Sequence, residues 1–427
     1  MVIKKIIFLI IFFLFFLNKG IQSSQILDYE SEYFINQLIN EIREVNKINK
    51  IIQFKIVSDK SINAFVDQNN IIYITSGLIE NCEDYIALLS VIAHEIGHID
   101  NNHIKDRIFS KNKLNSMSSL TSLSLIASSL LLNNPEVLKG IALSSGSLSE
   151  YNINFNKAQE READYYSLET LKKLNVYSDS IIKLLLKIEM KSLEKGITKN
   201  EIKYSTHPYF EERIDIINYL NQNQGVNFNK NLNLKYRFIQ AKFIGYSGNK
   251  NHINNLRGQQ KSYANSILSA KNGNLKESLI NLNKLIFSNK NNYFLIETKA
   301  DILFSYGYIE ESIKFYQKVL EKYPDNNYVQ IRIFENINFQ KLTKKEIEKR
   351  FLKNLNLLGI YYNNKNLLQI YLKLSEYIDK KEWSNFLNYW LNKENNNKQI
   401  KKKLEKFKQT DDIQLSNLVQ LIYKDYR

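Results

Sequence analysis

Asp84-Tyr-Ile-Ala-Leu-Leu-Ser-Val-Ile-Ala-His-Glu-Ile-Gly-His-Ile-Asp100 decides how the chain is to be read. An aspartate suited to cap a helix stands before an apolar run that no proline interrupts, so a long helix is predicted from Asp84 to about Asp106. On it His94 and His98 are four residues apart, which turns both rings to one face where they can share a metal ion. Glu95 stands beside them, within reach of a metal-bound water. Two neutral imidazoles at about 2.0–2.1 Å, a third protein ligand and one open position are what a catalytic zinc requires. The expected chemistry is hydrolysis with one zinc ion per chain: the metal lowers the pKa of its water, and Glu95 takes the proton and returns it to the leaving amine. The chain has only five histidines, so chance supplies this spacing rarely.

The third ligand must come from elsewhere. Glu160-Arg-Glu-Ala-Asp164 lies on a second helix, predicted over about Asn154 to Leu174, and puts Glu160 and Asp164 on one face. Glu160 is then a candidate ligand, and Asp164 a candidate acceptor for the outer N–H of a zinc histidine. Glu162 points to another side and competes with Glu160 on spacing alone.

Around these helices the hydrophobic period changes. Ile26 to Asn46 has helical spacing, while Ile51–Val57, Asn63–Asp67 and Asn70–Thr75 are short β-prone runs separated by Ser/Asp and Gln-Asn-Asn turns. Leu114 to Ser149 is rich in Ser and Leu and too polar to span a bilayer; a buried helical hairpin and a mobile lid are both open readings. A third helix is predicted from about Pro208.

At the N-terminus, Met1-Val-Ile-Lys-Lys5 precedes an unbroken apolar stretch from Ile6 to Leu17, the pattern of a cleavable signal peptide, with Gly20, Ser23 and Ser24 as cleavage points. Cys82 is the single cysteine, which excludes an intramolecular disulfide. The formal charge of +15 falls by three, to +12, without Lys4, Lys5 and Lys19, and the excess is spread along the chain. With no aromatic-basic motif, nucleic acid is excluded as a partner, while a basic surface remains compatible with peripheral membrane association. Three prolines and 13 glycines in 427 residues leave few helix breakers.

The tail repeats. At a shift of 34 residues Gly273 falls on Gly307, Glu277 on Glu311, Ser278 on Ser312 and Leu285 on Val319, the period of tetratricopeptide helix pairs, and Pro324 closes the second unit. After Pro324 no glycine marker aligns.

Ile62-Asn-Ala-Phe65, Ile72-Tyr-Ile-Thr-Ser-Gly-Leu78, the His94–His98 motif with His103 five residues on, Glu160 to Asp164, Thr206-His-Pro208 and Arg213-Ile214 follow one another in the order of a known family. Over residues 30 to 220 the sequence resembles the gluzincin metallopeptidases that include the CAAX prenyl proteases. The signal peptide and repeat tail make it similar to the periplasmic members that also assist outer-membrane protein assembly. The resemblance implies Glu160 as the zinc ligand and His207 near the zinc, steadying an oxyanion or latching the open position. It also implies a substrate-receiving edge strand, assigned to Ile72, Tyr73, Ile74 and Thr75. His103 is read as structural, Arg213 as a salt-bridge residue. The fold class is mainly α with a small β-sheet: a signal peptide 1–24, an α+β zinc metallopeptidase domain 25–222, a connecting segment 223–262 and an α-solenoid of tetratricopeptide-like repeats 263–427. The implied activity is cleavage of misfolded or stalled envelope proteins in the periplasm. The alternative is a chaperone-like scaffold whose repeats bind clients or the outer-membrane assembly machinery, with proteolysis minor or latched. Two departures stand out: Asp67-Gln-Asn-Asn70 replaces the family's glycine-rich turn, and the tail matches poorly after Pro324.

Overall fold

The structure, a computed structural model, describes residues 25–104, 157–176, 179–194, 213–215, 217, 227–336, 342–393 and 396–424. Residues 1–24, expected to be a signal peptide, the segment 114–149 and His207 lie outside them. The chain forms two compact units, Met1–Asn281 and Leu282–Arg427. The expected class holds: helices dominate and one small sheet sits near the start.

Tyr29–Asn46 (α1) starts where the Asp28 carboxylate accepts from the Ser31 N–H, and it buries Phe34, Leu38 and Ile42 at helical spacing. Gln53–Val57 (β1), Ala64–Val66 (β2) and Ile71–Thr75 (β3) make a sheet of order β1-β3-β2. β1 runs parallel to β3, with Gln53 opposite Ile71. β2 runs antiparallel to it, with Ala64 opposite Ile74. The expectation of β3 as an edge is therefore corrected, because strands flank it on both sides. Ile72 and Ile74 are fully buried in the core, Tyr73 stacks on Phe65 with ring centroids 5.0 Å apart, and Thr75 caps the next helix. Sequence alternation marks a half-buried strand, but position within a sheet depends on which partners close on it.

The turn without glycine has its own device. Asn70 takes the left-handed conformation at φ 61°, and the Asp67 carboxylate accepts from the Asn69 and Ile71 N–H groups at 2.9 Å each. Asparagine tolerates that region best after glycine, and the carboxylate satisfies the turn's amides.

Ser76–Asn81 (α2) leads into Tyr85–Asp100 (α3), whose N-cap Asp84 accepts from the Ala87 N–H at 3.0 Å. Almost every α3 side chain is buried, so the metal motif is carried on a core helix. The helix ends six residues before the predicted Asp106: Asn101 caps it and Asn102 turns left-handed at φ 58°. Lys157–Lys173 (α4) and Asp179–Glu194 (α5) pack against α3.

Within the stretch expected to connect two domains, Lys230–Ser247 (α6) is a core helix. Leu232, Tyr236, Ile239 and Phe243 enter the same core as Leu38 and Ile72. The Tyr236 hydroxyl donates to Ile79 O at 2.8 Å. Buried Lys242 reaches Asp28 at 2.5 Å and Glu30 at 2.7 Å, pinning α6 to the start of α1. Asn/Lys richness misleads here because Lys230, Asn231 and Lys235 are exposed and Lys242 is buried against two carboxylates, while the apolar residues recur every three or four positions.

Lys250–Asn255 (α7), Gly258–Lys271 (α8) and Leu275–Ser288 (α9) follow, the last crossing into the second unit. That unit continues through Tyr293–Ser305 (α10), Ile309–Lys322 (α11), Asn327–Glu335 (α12), Lys344–Lys353 (α13), Leu355–Ile360 (α14), Lys365–Tyr377 (α15), Lys381–Asn392 (α16), Asn397–Phe407 (α17) and Ile413–Lys424 (α18). Neighbouring helices pack in pairs, α10 on α11, α15 on α16 and α17 on α18, as a solenoid requires. Gly273 and Gly307, the markers 34 residues apart, are both left-handed at φ 89° and 84°. Each closes its helix by the same device, the next N–H returning to a carbonyl five residues back: Asn274 to Ser269 at 2.8 Å and Tyr308 to Leu303 at 3.0 Å. After Pro324 Asp379 does the same work at φ 62°, with Lys380 N–H bonded to Ser375 O at 2.8 Å.

Gly77 opens α2 where the chain crosses its own backbone, and an added Cβ would lie 2.2 Å from Ser61 O and 2.4 Å from Lys60 O. Gly77→Ala should destabilise the first unit by more than about 3 kcal/mol, since neither obstacle is a side chain that can swing away. Thermal unfolding followed by circular dichroism checks this.

Candidate metal centre

α3 presents His94 and His98 one turn apart, both buried. α4 brings Glu160 from its first turn to meet them. The two helices come this close because Gly97, between the histidines, faces α4 without a side chain. A Cβ there would stand 3.1 Å from Tyr166 Cβ and 3.2 Å from Ala163 Cα, tighter than ordinary contact. The glycine of the motif thus sets the separation that brings a carboxylate within range of two imidazoles.

His94 Nε2 and His98 Nε2 lie 3.1 Å apart. Glu160 Oε2 is 3.6 Å from the first and Oε1 3.4 Å from the second. Ligands about 2.0–2.1 Å from a tetrahedral zinc are separated by about 3.3 Å, so this triangle has the size of one face of a zinc tetrahedron. Among the described residues it is the one group of three His, Cys, Asp or Glu donors whose ligand atoms all lie within 4.8 Å of one another.

The electrostatics ask for a cation. Asp164 accepts from His94 Nδ1–H at 2.8 Å, which holds a proton on the outer nitrogen, so that a metal ion would displace the second proton, on Nε2, and leave that nitrogen as its donor. Arg213 grips the same carboxylate at both oxygens, Nε to Oδ2 and Nη2 to Oδ1, each at 2.8 Å. Burial works against a charged Asp164, but Arg213 and His94 outweigh it and hold the carboxyl at about 2. Burial and Arg213 likewise oppose a charged His94, yet Asp164 and Glu160 raise it to about 9. Burial also opposes the Arg213 charge, which Asp164, Glu160 and Glu95 restore to above its usual range. Glu95, Glu160 and Asp164 against Arg213, all buried, leave the site two negative charges in excess when the imidazoles are neutral. A divalent ion balances that excess, and the nitrogen/carboxylate donor set suits zinc.

Of the predicted site residues, the structure brings together His94, Glu95, His98, Glu160 and Asp164. It separates Ile72, Tyr73, Ile74 and Thr75 into the interior of the sheet. Glu162, the competitor of Glu160, points away from the triangle and meets His103 instead. Arg213, expected as a salt-bridge residue, is one, and its partner is the carboxylate that accepts from the candidate ligand His94. Nothing in local spacing signals a contact 49 residues away.

Arg213→Met should leave Asp164 buried and uncompensated. Zinc affinity is expected to fall by about 10- to 100-fold and stability by about 3–5 kcal/mol, with Arg213→Lys between the variant and the parent. Chelator competition and thermal unfolding read the two effects separately.

Residues 33–221 match the model of peptidase family M48. The chain is 26% identical over 187 residues to a protein of Vibrio cholerae serotype O1 named putative beta-barrel assembly-enhancing protease, a match covering 43% of this chain and 37% of the relative. It is 27% identical over 195 residues to the beta-barrel assembly-enhancing protease of Yersinia pestis, covering 44% and 39%. The chain therefore aligns with less than two fifths of the length of the curated relatives it matches.

Proposed function

We propose that this chain, whose residues 33–221 match the model of peptidase family M48, is a zinc-dependent endopeptidase of the bacterial periplasm that cleaves unfolded or misassembled envelope proteins. The triangle of His94, His98 and Glu160 carries the reading. Held by His94, His98 and Glu160, a zinc ion would supply Lewis acidity and the activation of a water molecule. Glu95, buried between the two histidines on α3, is the base that takes the proton of the attacking water and the acid that passes it to the leaving amine. Asp164 and Arg213 hold His94 in the tautomer that binds.

An extended substrate needs a strand edge, and β2 supports that role better than β3. Among the described residues β2 has a strand on one side only, and it packs beside α3. The bonds Asp67 N–H to Ile71 O and Thr75 N–H to Asn63 O set the register in which the Val66 main chain faces away from β3. A client that adds to this edge must offer an extended segment, which an unfolded chain supplies along its whole length. The names of the relatives and the N-terminal signal pattern favour an envelope setting. No described helix is long and apolar enough to cross a membrane. The paired helices of the second unit favour a second role alongside cleavage, holding clients or the outer-membrane assembly machinery.

Glu95→Gln should retain zinc and lose cleavage of unfolded casein by at least about 100-fold; equal cleavage by the variant would remove the peptidase reading. If the same variant restores envelope assembly in cells lacking the protein, the holding role is the dominant one. Val66→Pro, which deletes one outward amide hydrogen from an edge that tolerates proline, should raise KM by about threefold or more with little change in kcat. Steady-state kinetics on a peptide substrate decides between β2 and another receiving strand.

A further inference from the structure

His98 also has an orienting partner, but it is reached through a second histidine. His98 Nδ1 lies 3.0 Å from His103 Nδ1, and His103 Nε2 lies 2.8 Å from Glu162 Oε2. His103 is buried, whereas the Glu162 side chain is 60% exposed. On a continuous helix the residue five positions on lies about 140° further round the axis, so His103 could not face His98. The break makes the contact: α3 stops at Asp100, Asn102 adopts φ 58°, and the chain folds His103 back under the zinc-facing end. Gln159 Nε2 donates to the His103 carbonyl at 3.5 Å, and Glu162 sits on the same helix as Glu160 and Asp164.

We propose that His103 and Glu162 are positioning residues that fix the tautomer and ring angle of the metal ligand His98, a relay that stands opposite the direct Asp164 clamp on His94. This rests on the metallopeptidase reading, and the hydrogens follow from it. A metal on His98 Nε2 requires the His98 proton on Nδ1. That N–H donates to His103 Nδ1, so the His103 proton sits on Nε2 and donates to the Glu162 carboxylate. Every polar hydrogen along the line then has one acceptor, and the arrangement is unique once its outer end is an anion. The two histidines of one motif are thus oriented in different ways. Asp164 is buried and locked by Arg213, while the carboxylate at the end of the relay meets solvent. A group in Glu162's place can be exchanged without leaving a buried charge, which makes the relay the adjustable side of the centre.

Zinc affinity of the full chain, measured by chelator competition for the parent, His103→Phe, Glu162→Ala and Glu162→Gln, tests this without using catalysis. Loss of about 10- to 100-fold is expected for His103→Phe and a smaller loss for Glu162→Ala. Glu162→Gln should recover most of the affinity, because its amide oxygen still accepts from His103. Circular dichroism should be unchanged in the Glu162 variants, which alter an exposed side chain. In the zinc-loaded parent labelled with 15N-histidine, His98 should carry its proton on Nδ1 and His103 on Nε2. The cobalt(II) form should change its visible spectrum in His103→Phe. Parent-like zinc affinity in both the His103→Phe and Glu162→Ala variants, or a proton on His103 Nδ1, overturns the relay and leaves the metallopeptidase reading standing. A parent chain that binds no zinc overturns that reading and the relay with it.

Discussion

The approach of α4 to α3 at Gly97 is the constraint on which the rest of the first unit depends. With no side chain at that position, Ala163 and Tyr166 come up against the helix backbone, and the turn that carries Glu160 falls level with His94 and His98. The remaining architecture supports that contact from outside. The sheet and α1 supply core on one side of α3, α5 packs beside it, and α6 ties α1 to α2 through Lys242, Tyr236 and Gln240. Interiors this densely packed transmit small displacements, so the separation of two helices sets the size of a triangle of ligand atoms.

Electrostatics completes what packing arranges. Placing three carboxylates and a guanidinium out of water is costly unless each finds partners, and here they find one another around two imidazoles. Arg213 is the counterion of Asp164, Asp164 the acceptor of His94, and the residual negative charge is what a divalent cation neutralises. Stability and the shape of the candidate metal site are coupled through the same atoms: a change that loosens the Arg213 clamp strands a buried carboxylate and removes the support of His94 together.

Several turns in this chain use asparagine or aspartate in places where a glycine is the usual solution. Asn70 closes the hairpin between β2 and β3, Asn102 turns the chain after the metal helix, and Asp379 ends α15 as Gly307 ends α10. Short polar side chains tolerate the left-handed region and can bond to nearby amides, as Asp67 does in the hairpin. In an asparagine-rich sequence these positions do not stand out. The repeat signal accordingly fades after Pro324, although the helices continue to pair.

The sequence by itself marked the candidate metal ligands and most of the elements. Helical spacing of His94 and His98, the β-prone runs before them, the acidic face of Glu160 and Asp164 and the 34-residue recurrence are local patterns, and local geometry turns them directly into a ligand pair, three strands, a candidate third ligand and helix pairs. Only the tertiary structure decided what depends on contacts far apart along the chain. It put β3 in the middle of its sheet, because strand order is a matter of partners and not of alternation. It drew α6 into the core, because burial depends on which face meets a neighbour. It separated Glu160 from Glu162, and it joined Arg213 to Asp164 and His103 to His98, because those pairings are set by helix separation and by one left-handed residue, neither of which leaves a periodic trace.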